Sequence, residues 1–348
     1  MTFVDHSAPK RPEIEPAFPS DGVPVVLCFD EAFAPYAAAL LASIADVAGT
    51  TRPYDVLIFH QDISTPTRRR LSQLVEGKTR ISLRFFEIDD EYIDIDLPVH
   101  LHFSRATYFR LWIPLLLKRY DKVLYIDADT VVLADLARLF DCDLSGQPIG
   151  AVLDPLMVMF RRIGFRAPKR WGRVPAGEYL HDHLGLTRPE DYFQAGVLVF
   201  DLTRIDPDTH EREIRRLLTS KAYWLADQDV LNLVFEGRAA RLDLRWNVVT
   251  SGGDAGALER GLPDDRARTY RDALSDPFLV HYAGQVKPWR RPETDLAHHF
   301  WKWCRKTSWY EQLLVDACRP PVERRGRPVL YDGLARFVRQ LRHALPSL

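Results

Sequence analysis

Short apolar runs alternate with helix-like stretches over the first half of the chain. Residues 23–29 form a continuous apolar run with β-branched members, which is typical of a buried strand. Residues 34–47 are rich in Ala and Leu and stop just before Gly49, so they predict a helix with its C-terminal stop. Further strands are predicted at 56–60, 81–88 and 123–126, and helices after Ser64 and at 105–117. This order predicts an α/β fold with a mostly parallel, doubly wound sheet flanked by helices.

The second half continues the α/β pattern less regularly. Strands are predicted at 149–153, 195–200 and 278–280, and helices at about 208–219 and 228–236. Residues 155–191 are rich in Pro, Gly and charges, which predicts loops that expose Met157, Met159, Trp171 and Tyr179. We expect a disordered polar leader over 1–22, one domain over 23–290, and a basic, aromatic-rich extension over 291–348.

Acidic residues follow two of the predicted strands. Asp30 comes directly after the first strand, and Asp127-Ala128-Asp129 follows the short, wholly apolar fourth strand. Ligands of doubly wound sheets bind at the carboxyl ends of the strands. Two carboxylates one residue apart point the same way in an extended chain, so they can share one hard divalent cation. A surface turn, where Asp is common, is the alternative for this pair.

A pair of metal-binding aspartates does not by itself name a reaction. The same string fits the nucleophile loop of haloacid-dehalogenase-type phosphatases, in which the first aspartate performs covalent phosphoryl transfer. That alternative requires a second acidic pair after another apolar strand. Downstream, Asp264-Asp265 follows Gly-Leu-Pro in a polar stretch and does not fit, which disfavours a phosphatase.

The segment 281–289 follows another apolar run and adds phosphate-binding chemistry. His281 stands at the predicted strand end, where an imidazole suits Mn²⁺ beside carboxylates. Gly284 permits a close approach of the backbone to a phosphate. Lys287 supplies a point charge for that phosphate, and Pro288 stiffens the loop that presents it.

Composition and charge narrow the class of protein. The 348 residues are 46% hydrophobic and 27% charged, with a formal net charge of −1, so no nucleic-acid partner is expected. The four cysteines lack Cys-x-x-Cys spacing, which fits a reducing cytosol and argues against a zinc site. Neither a signal peptide nor a bilayer-spanning run is visible, so we expect a cytoplasmic protein.

Four motifs resemble those of glycosyltransferase family 8 in the order of that family. They are Asp30, Tyr-Ile-Asp-Ala-Asp-Thr (125–130), Tyr-Phe-Gln-Ala-Gly-Val (192–197) followed by Ala-Asp-Gln-Asp-Val-Leu-Asn (226–232), and His-Tyr-Ala-Gly-Gln-Val-Lys-Pro-Trp (281–289). This retaining family includes bacterial lipopolysaccharide galactosyl- and glucosyltransferases and glycogenin. The resemblance implies a GT-A type, Rossmann-like fold and transfer of galactose or glucose from a UDP-sugar to a glycan, such as lipopolysaccharide or another surface polysaccharide. A catalytically silent sugar-nucleotide-binding protein is a further alternative, which the intact motifs disfavour.

The resemblance also implies roles for individual residues. The metal ligands would be Asp127, Asp129 and His281, with Mn²⁺ as the cofactor and Mg²⁺ as an alternative. The donor would contact Asp30, Phe33, Arg110, Asp127, Ala128, Asp129, Gly284 and Lys287. Asp227 and Gln228 would lie beside the reacting carbon, and Asp154 and Gln194 would face the acceptor.

The chain departs from the family pattern at three of its positions. The family usually has Asn at position 194, where the acceptor and donor-sugar contacts are expected. It usually has an Asn-Tyr pair in place of Ala32-Phe33, where the base and ribose contacts are expected. For Asp227 and Asp229, capping of the helix that follows is an alternative to a site role.

A basic amphipathic helix is predicted near the C-terminus. Residues 286–348 hold 13 Lys/Arg against 6 Asp/Glu. Within 334–345, one helical face is apolar and the other carries Arg336, Arg339, Arg342 and His343. Such a helix suits the anionic inner face of a membrane, where a lipid-linked acceptor would lie. Docking on its own domain or on a partner subunit is the alternative.

Overall fold

Seven strands form the central sheet, and three more form a separate small sheet. The computed structural model describes residues 13–48, 52–89, 93, 105–250, 255–284 and 286–318. The strands are β1 (Val23–Cys28), β2 (Tyr54–His60), β3 (Ile81–Glu87), β4 (Lys122–Ile126), β5 (Thr130–Val132), β6 (Ile149–Leu153), β7 (Phe193–Asp201), β8 (Ala239–Arg241), β9 (Val248–Val249) and β10 (Leu279–His281).

The central sheet has the order β3-β2-β1-β4-β7-β6-β8. Strands β3, β2, β1 and β4 are parallel to one another, β7 runs against both β4 and β6, and β6 is parallel to β8. The prediction of a mostly parallel sheet is therefore confirmed. Strands β1 and β2 are buried along their whole length, which explains why they read as continuous apolar runs rather than as alternating ones.

Helices pack on both faces of the central sheet. The α-helices are α1 (Ala34–Val47), α2 (Thr65–Ser72), α3 (Ile113–Leu116), α4 (Ala137–Phe140), α5 (Pro155–Ile163), α6 (Ala176–Glu178), α7 (Pro207–Ser220), α8 (Asp227–Val234), α9 (Ala255–Gly261), α10 (Asp264–Ser275), α11 (Ala297–Cys304) and α12 (Tyr310–Cys318). Alternate residues of β1 and β2 contribute to two hydrophobic cores, one of which includes α1 and α11 and the other α7 and α8. Each face of the sheet thus has its own core.

The helix predicted over 105–117 consists of a 3-10 helix followed by a short α-helix. Residues Arg105–Trp112 form a 3-10 helix, and the α-helical part is limited to α3. Pro114 stands in the first turn of α3, where its missing N–H is tolerated, whereas it cannot continue a helix that arrives from upstream.

The prediction of exposed loops over residues 155–191 is wrong. The segment holds α5, α6, a 3-10 turn at Lys169–Trp171 and a π-helical turn at Tyr179–Leu184, and it buries Met157, Met159, Trp171 and Tyr179. The polar residues that suggested loops mark helix ends instead. Asp154 caps the N-terminus of α5, and Gly164 takes the left-handed conformation at its C-terminus.

The small sheet joins distant parts of the sequence in the order β5-β10-β9. Strand β10 corresponds to the run predicted at 278–280 and pairs with β5, so that His281 lies opposite Thr130. It also pairs in parallel with β9, which places His281 opposite Val249. Strand β10 therefore carries the segment 281–289 to the end of β4.

Both predicted flanking segments contact the domain where the structure describes them. The Ala17 amide donates to Asp55 (3.0 Å), and the Arg84 guanidinium donates to the Glu15 carbonyl (2.9 Å). In the C-terminal part, α11 packs on α1 and buries Phe300 and Trp303. Residues 1–12 and the predicted amphipathic helix over 334–345 lie outside the described residues. A search of the described helices found none that combines the length and apolar character needed to span a bilayer.

Candidate active site

A tight turn between β4 and β5 carries Asp127, Ala128 and Asp129. The Asp127 amide donates to the Gly196 carbonyl (2.7 Å), and the Thr130 hydroxyl donates to the Asp127 carbonyl (2.8 Å). A carboxylate oxygen of Asp127 and one of Asp129 lie within 4.8 Å of each other. The side chains of Asp127 and Asp129 are only 18% and 15% exposed, which is unlike a solvated surface turn.

His281 completes a group of three metal-ligand side chains. Its Nε2 lies 3.2 Å from Asp129 Oδ1 and 3.7 Å from Asp127 Oδ2. The pairing of β10 with β5 brings the histidine to the aspartates across more than 150 residues of sequence. In the part of the chain that the structure describes, these side chains form the one such cluster. The predicted ligands are therefore brought together.

Lys287 lies against the same carboxylates. Its Nζ donates to Asp129 Oδ2 and to the Tyr282 carbonyl (2.7 Å). Burial alone would raise the pKa of the Asp129 carboxyl, but Lys287 and His281 hold that pKa well below its usual range. The loop between His281 and Lys287 turns at Gly284, whose φ of 85° is a left-handed conformation that favours glycine.

An irregularity in β7 supplies backbone groups to the site. Leu198 pairs with Ala151 and Gln194 with Val152, so the residues between them leave the ladder with β6. The Ala195 amide donates to Gln228 Oε1 (3.0 Å), and the Ala195 carbonyl accepts from Arg110 (2.7 Å). Bulges of this kind are common next to active sites because they redirect backbone groups.

Arg110 is buried between two carboxylates. Its Nη2 lies 2.7 Å from Asp127 Oδ1, and its Nε lies 2.9 Å from Asp227 Oδ2. Burial raises the pKa of Asp227 to about 7, although the neighbouring Arg110 cation acts in the opposite direction. The guanidinium also lies over the Tyr125 ring (4.4 Å), and the Tyr125 hydroxyl donates to Asp127 (2.6 Å). Arg110 thus holds the aspartates in place, and its predicted contact with the donor stays a prediction.

Gln228 is held by hydrogen bonds at both ends of its amide. Its Oε1 accepts from Ala195, and its Nε2 donates to Asp154 Oδ2 (2.8 Å). Asp154 is itself buried, and its Oδ1 accepts from the Leu156 amide (2.8 Å) at the start of α5. Because both carboxylate oxygens of Asp154 accept from protein donors, this residue orients Gln228. Its predicted contact with an acceptor stays a prediction.

Asp229 belongs to the interior rather than to the cleft. It is fully buried and accepts from the hydroxyls of Tyr179 and Tyr192, each at 2.6 Å, and from the Leu225 amide (2.9 Å). The N-cap of α8 is Ala226, with φ 50° and ψ −121°, so neither Asp227 nor Asp229 is the N-cap itself. Both stand in the first turn, where the helix dipole favours negative charge.

The predicted donor-binding residues of the first strand lie at the start of α1. Asp30 Oδ1 accepts from the Phe33 amide (2.9 Å). Trp289 stacks on Tyr36 at 4.2 Å and meets the edge of the Phe33 ring at 5.8 Å. The segment 281–289 therefore ends on α1, beside the loop that carries Asp30.

Gln194 and Asn247 connect the irregular part of β7 to the histidine. Gln194 Oε1 accepts from the Gly196 amide and from Asn247 Nδ2, both at 2.5 Å, and Asn247 Oδ1 lies 2.9 Å from His281 Nδ1. The sequence prediction placed Gln194 toward an acceptor and did not identify Asn247. The available signal was an asparagine directly before the apolar pair Val248-Val249.

The residues present fit a hard divalent cation. Two carboxylates and one neutral imidazole are oxygen and nitrogen ligands that Mn²⁺ accepts, and Mg²⁺ accepts the oxygens. A histidine that ligates a metal usually donates its other ring N–H to a fixed acceptor, and Asn247 Oδ1 stands in that place beside His281 Nδ1. The arrangement can therefore hold a cation beside a lysine and a glycine-containing loop.

The chain matches the Glycosyl transferase family 8 model over residues 24–293. It is 26% identical over 227 residues to the lipopolysaccharide 1,2-glucosyltransferase of Escherichia coli (strain K12), a match that covers 64% of this chain and 60% of that protein. Among solved structures, the bifunctional glycosyltransferase WbbM is similar with a TM-score of 0.81 and 35% identity, over 88% of this chain and 53% of the WbbM chain. The galactosyltransferase LgtC, solved with donor and acceptor sugar analogues, shares the fold with a TM-score of 0.64 and 22% identity, over 89% of this chain and 99% of its own.

Proposed function

The chain belongs to glycosyltransferase family 8, and from this premise we propose that it moves galactose or glucose from a UDP-sugar to a glycan acceptor. Family membership makes the chain a glycosyltransferase and replaces the phosphatase alternative. The observation that carries the proposal is the meeting of Asp127, Asp129 and His281 at one edge of the sheet, with Lys287 against them. This group suits a nucleoside diphosphate that arrives with a divalent cation.

The three ligand side chains would hold Mn²⁺ or Mg²⁺. When bound, such a cation supplies Lewis-acid stabilisation of the charge that develops on a diphosphate leaving group. Lys287 would exchange its partner Asp129 for a phosphate oxygen, because Asp129 as a metal ligand would no longer need the lysine charge. The left-handed turn at Gly284 would let the backbone approach the same phosphate.

Asp227 and Gln228 would lie beside the donor sugar. An amide oxygen is a weak nucleophile, and the Gln228 oxygen already accepts from the Ala195 amide. These two facts favour attack by the acceptor hydroxyl on the same face from which UDP departs, with retention of configuration. In this proposal the Gln228 amide is held by hydrogen bonds at both ends, and it orients the sugar by contact.

The acceptor is proposed from the relatives. One similar protein is named a lipopolysaccharide 1,2-glucosyltransferase, and another, LgtC, is named a galactosyltransferase. We propose lipopolysaccharide or another surface polysaccharide as the acceptor class for this chain. A lipid-linked acceptor would bring the protein to a membrane surface, to which the basic segment 334–345 is suited.

A UDP-release screen tests the function. UDP-galactose, UDP-glucose and other UDP-sugars are incubated with the full chain, first alone and then with candidate glycans, in EDTA, Mg²⁺ or Mn²⁺. We expect release from one UDP-hexose that requires the divalent cation and increases with the correct acceptor. Equal, cation-independent release from every donor would contradict the proposal, and no release under any condition would favour a silent sugar-nucleotide-binding protein.

Gln228→Ala is expected to slow transfer by about 10- to 100-fold with little change in the KM of the donor. The reason is that the orienting amide acts on the reacting carbon, while the diphosphate contacts remain. Steady-state kinetics with the donor identified above measure both constants. Gln73→Ala, which removes an exposed glutamine, is the matched control and should behave as the wild type. A raised KM with an unchanged kcat would show that Gln228 only binds the donor.

A further inference from the structure

Two buried side-chain amides connect His281 to the backbone of β7. His281 and Gln194 are nearly inaccessible and Asn247 is completely so. The contacts run from the Gly196 amide to Gln194, from Gln194 to Asn247, and from Asn247 to His281 Nδ1. The opposite ring nitrogen, Nε2, faces Asp127 and Asp129.

The direction of every hydrogen bond in the series from Gly196 to His281 follows from the first bond, which the Gly196 amide donates. A backbone N–H can only donate, so the Gln194 atom that meets the Gly196 amide is the oxygen. That oxygen then requires the NH₂ group of Asn247, which leaves the Asn247 oxygen toward His281. An amide oxygen can only accept, so His281 carries its proton on Nδ1. In the neutral imidazole, Nε2, which faces the two carboxylates, is then the nitrogen whose lone pair can ligate a cation.

We propose that Gln194 and Asn247 are positioning residues that hold His281 in the tautomer and ring orientation needed to bind the divalent cation. The inference rests on the proposed function, because it concerns the cation that this function uses. A neutral imidazole with its proton on Nε2 would point that proton at the aspartates and could not ligate a metal. Outer partners of this kind orient ligands, and their loss typically weakens metal affinity by about 10- to 100-fold.

Gly196 contacts both the hydrogen-bonded amides that reach His281 and the second metal ligand, Asp127. Its carbonyl accepts from the Asp127 amide (2.7 Å), while its own amide donates to Gln194. One peptide segment of β7 therefore sets the position of Asp127 directly and the tautomer of His281 through two amides. The irregularity in β7 frees these backbone groups for that purpose.

Asn247→Leu tests the inference because leucine has a similar branched shape and removes both hydrogen bonds. We expect the Kd for Mn²⁺, measured by calorimetry or by the EPR signal of free Mn²⁺ without any sugar, to rise by about 10- to 100-fold. In ¹⁵N NMR of labelled protein, the His281 ring should change from the form protonated on Nδ1 to a mixture; His281→Gln assigns its signals among the 11 histidines. Asn247→Asp, whose carboxylate still accepts from Nδ1–H but faces the Gln194 oxygen, should retain the wild-type tautomer.

Asn232→Leu is the matched control. Asn232 is also buried and hydrogen-bonded on both sides of its amide, to Phe193 and to the Gln228 carbonyl, but it does not contact a ligand. Its loss should lower stability and leave the Kd for Mn²⁺ unchanged. If Asn247→Leu does not fold, Gln194→Leu removes the acceptor of Asn247 Nδ2 and should shift the same two readouts in the same direction.

The outcomes separate the inference from the function. One outcome is that the wild type binds Mn²⁺ and Asn247→Leu shows the same Kd and the same ¹⁵N shifts. That outcome would overturn the positioning role and leave the proposed function intact. A wild-type protein that binds neither Mn²⁺ nor Mg²⁺ would overturn both. A Kd that rises equally in Asn247→Leu and Asn232→Leu would show a general loss of structure and would also overturn the inference.

Discussion

Asp129→Asn is expected to lower kcat/KM for sugar transfer by about 10³-fold, on the order of 4 kcal/mol of transition-state stabilisation. Asparagine keeps the shape of the side chain but removes the negative charge that would hold the cation beside His281 Nε2, 3.2 Å away. It also removes the charge that Lys287 now contacts. We expect kcat/KM to fall and the Kd for Mn²⁺ to rise together, because one carboxylate serves both.

Asp182→Asn is the control for this substitution, since Asp182 is an exposed aspartate that lies 2.7 Å from the neighbouring His181. It should retain wild-type kinetics and cation affinity. A variant of Asp129 whose turnover still depends on Mn²⁺ with nearly normal kcat/KM would refute the assignment of the metal site. Saturating Mn²⁺ distinguishes the two parts of the effect: affinity alone is recovered at high concentration, whereas lost stabilisation of the leaving group is not.

Most of the central sheet could be predicted because its inner strands, such as β1 and β2, are buried along their whole length. Continuous apolar runs such as 123–126 leave few alternatives, and the acidic residues after them mark the edge where ligands bind. The meeting of Asp127 with His281 was predicted from the motif resemblance. The sheet that brings them together was not, because β9 has two residues and β5 and β10 have three each, too few for a periodicity.

The hydrogen-bond and ion-pair partners of the buried polar groups could not be predicted from the sequence. Arg110 and Asp154 are predicted to contact substrates, and the structure adds protein partners to each that the sequence did not indicate. A motif fixes which residue types occur, whereas the direction of each side chain depends on tertiary packing. The irregularity in β7 is the main example. The residues Gln194-Ala195-Gly196 do not indicate that their backbone groups bond to site residues instead of pairing with β6.

Gly196→Ala is expected to reduce transfer by about 10²-fold or more and to weaken Mn²⁺ binding by a similar factor. A Cβ at this position would lie 2.3 Å from His281 Cε1 and 2.7 Å from both His281 Nδ1 and Asp127 Oδ2. These separations are shorter than any van der Waals contact, so at least one ligand must move. The imidazole is held by Asn247 on one side and the Asp127 carboxylate by Arg110 on the other, so neither can move without breaking a buried hydrogen bond or ion pair. Overpacking of this kind also lowers the free energy of unfolding by about 1–3 kcal/mol.

Gly177→Ala is the matched control because a Cβ there would meet no heavy atom within 4 Å. Gly177 lies within α6, so alanine should be neutral or stabilise the fold by about 0.4–1 kcal/mol. Thermal unfolding separates the two consequences of the change at Gly196: a variant that folds at the assay temperature but binds Mn²⁺ weakly has lost the geometry of the ligands. If the variant folds, binds Mn²⁺ and transfers sugar as the wild type does, then His281 and Asp127 are free to move apart, and the site is not held as tightly as its contacts indicate.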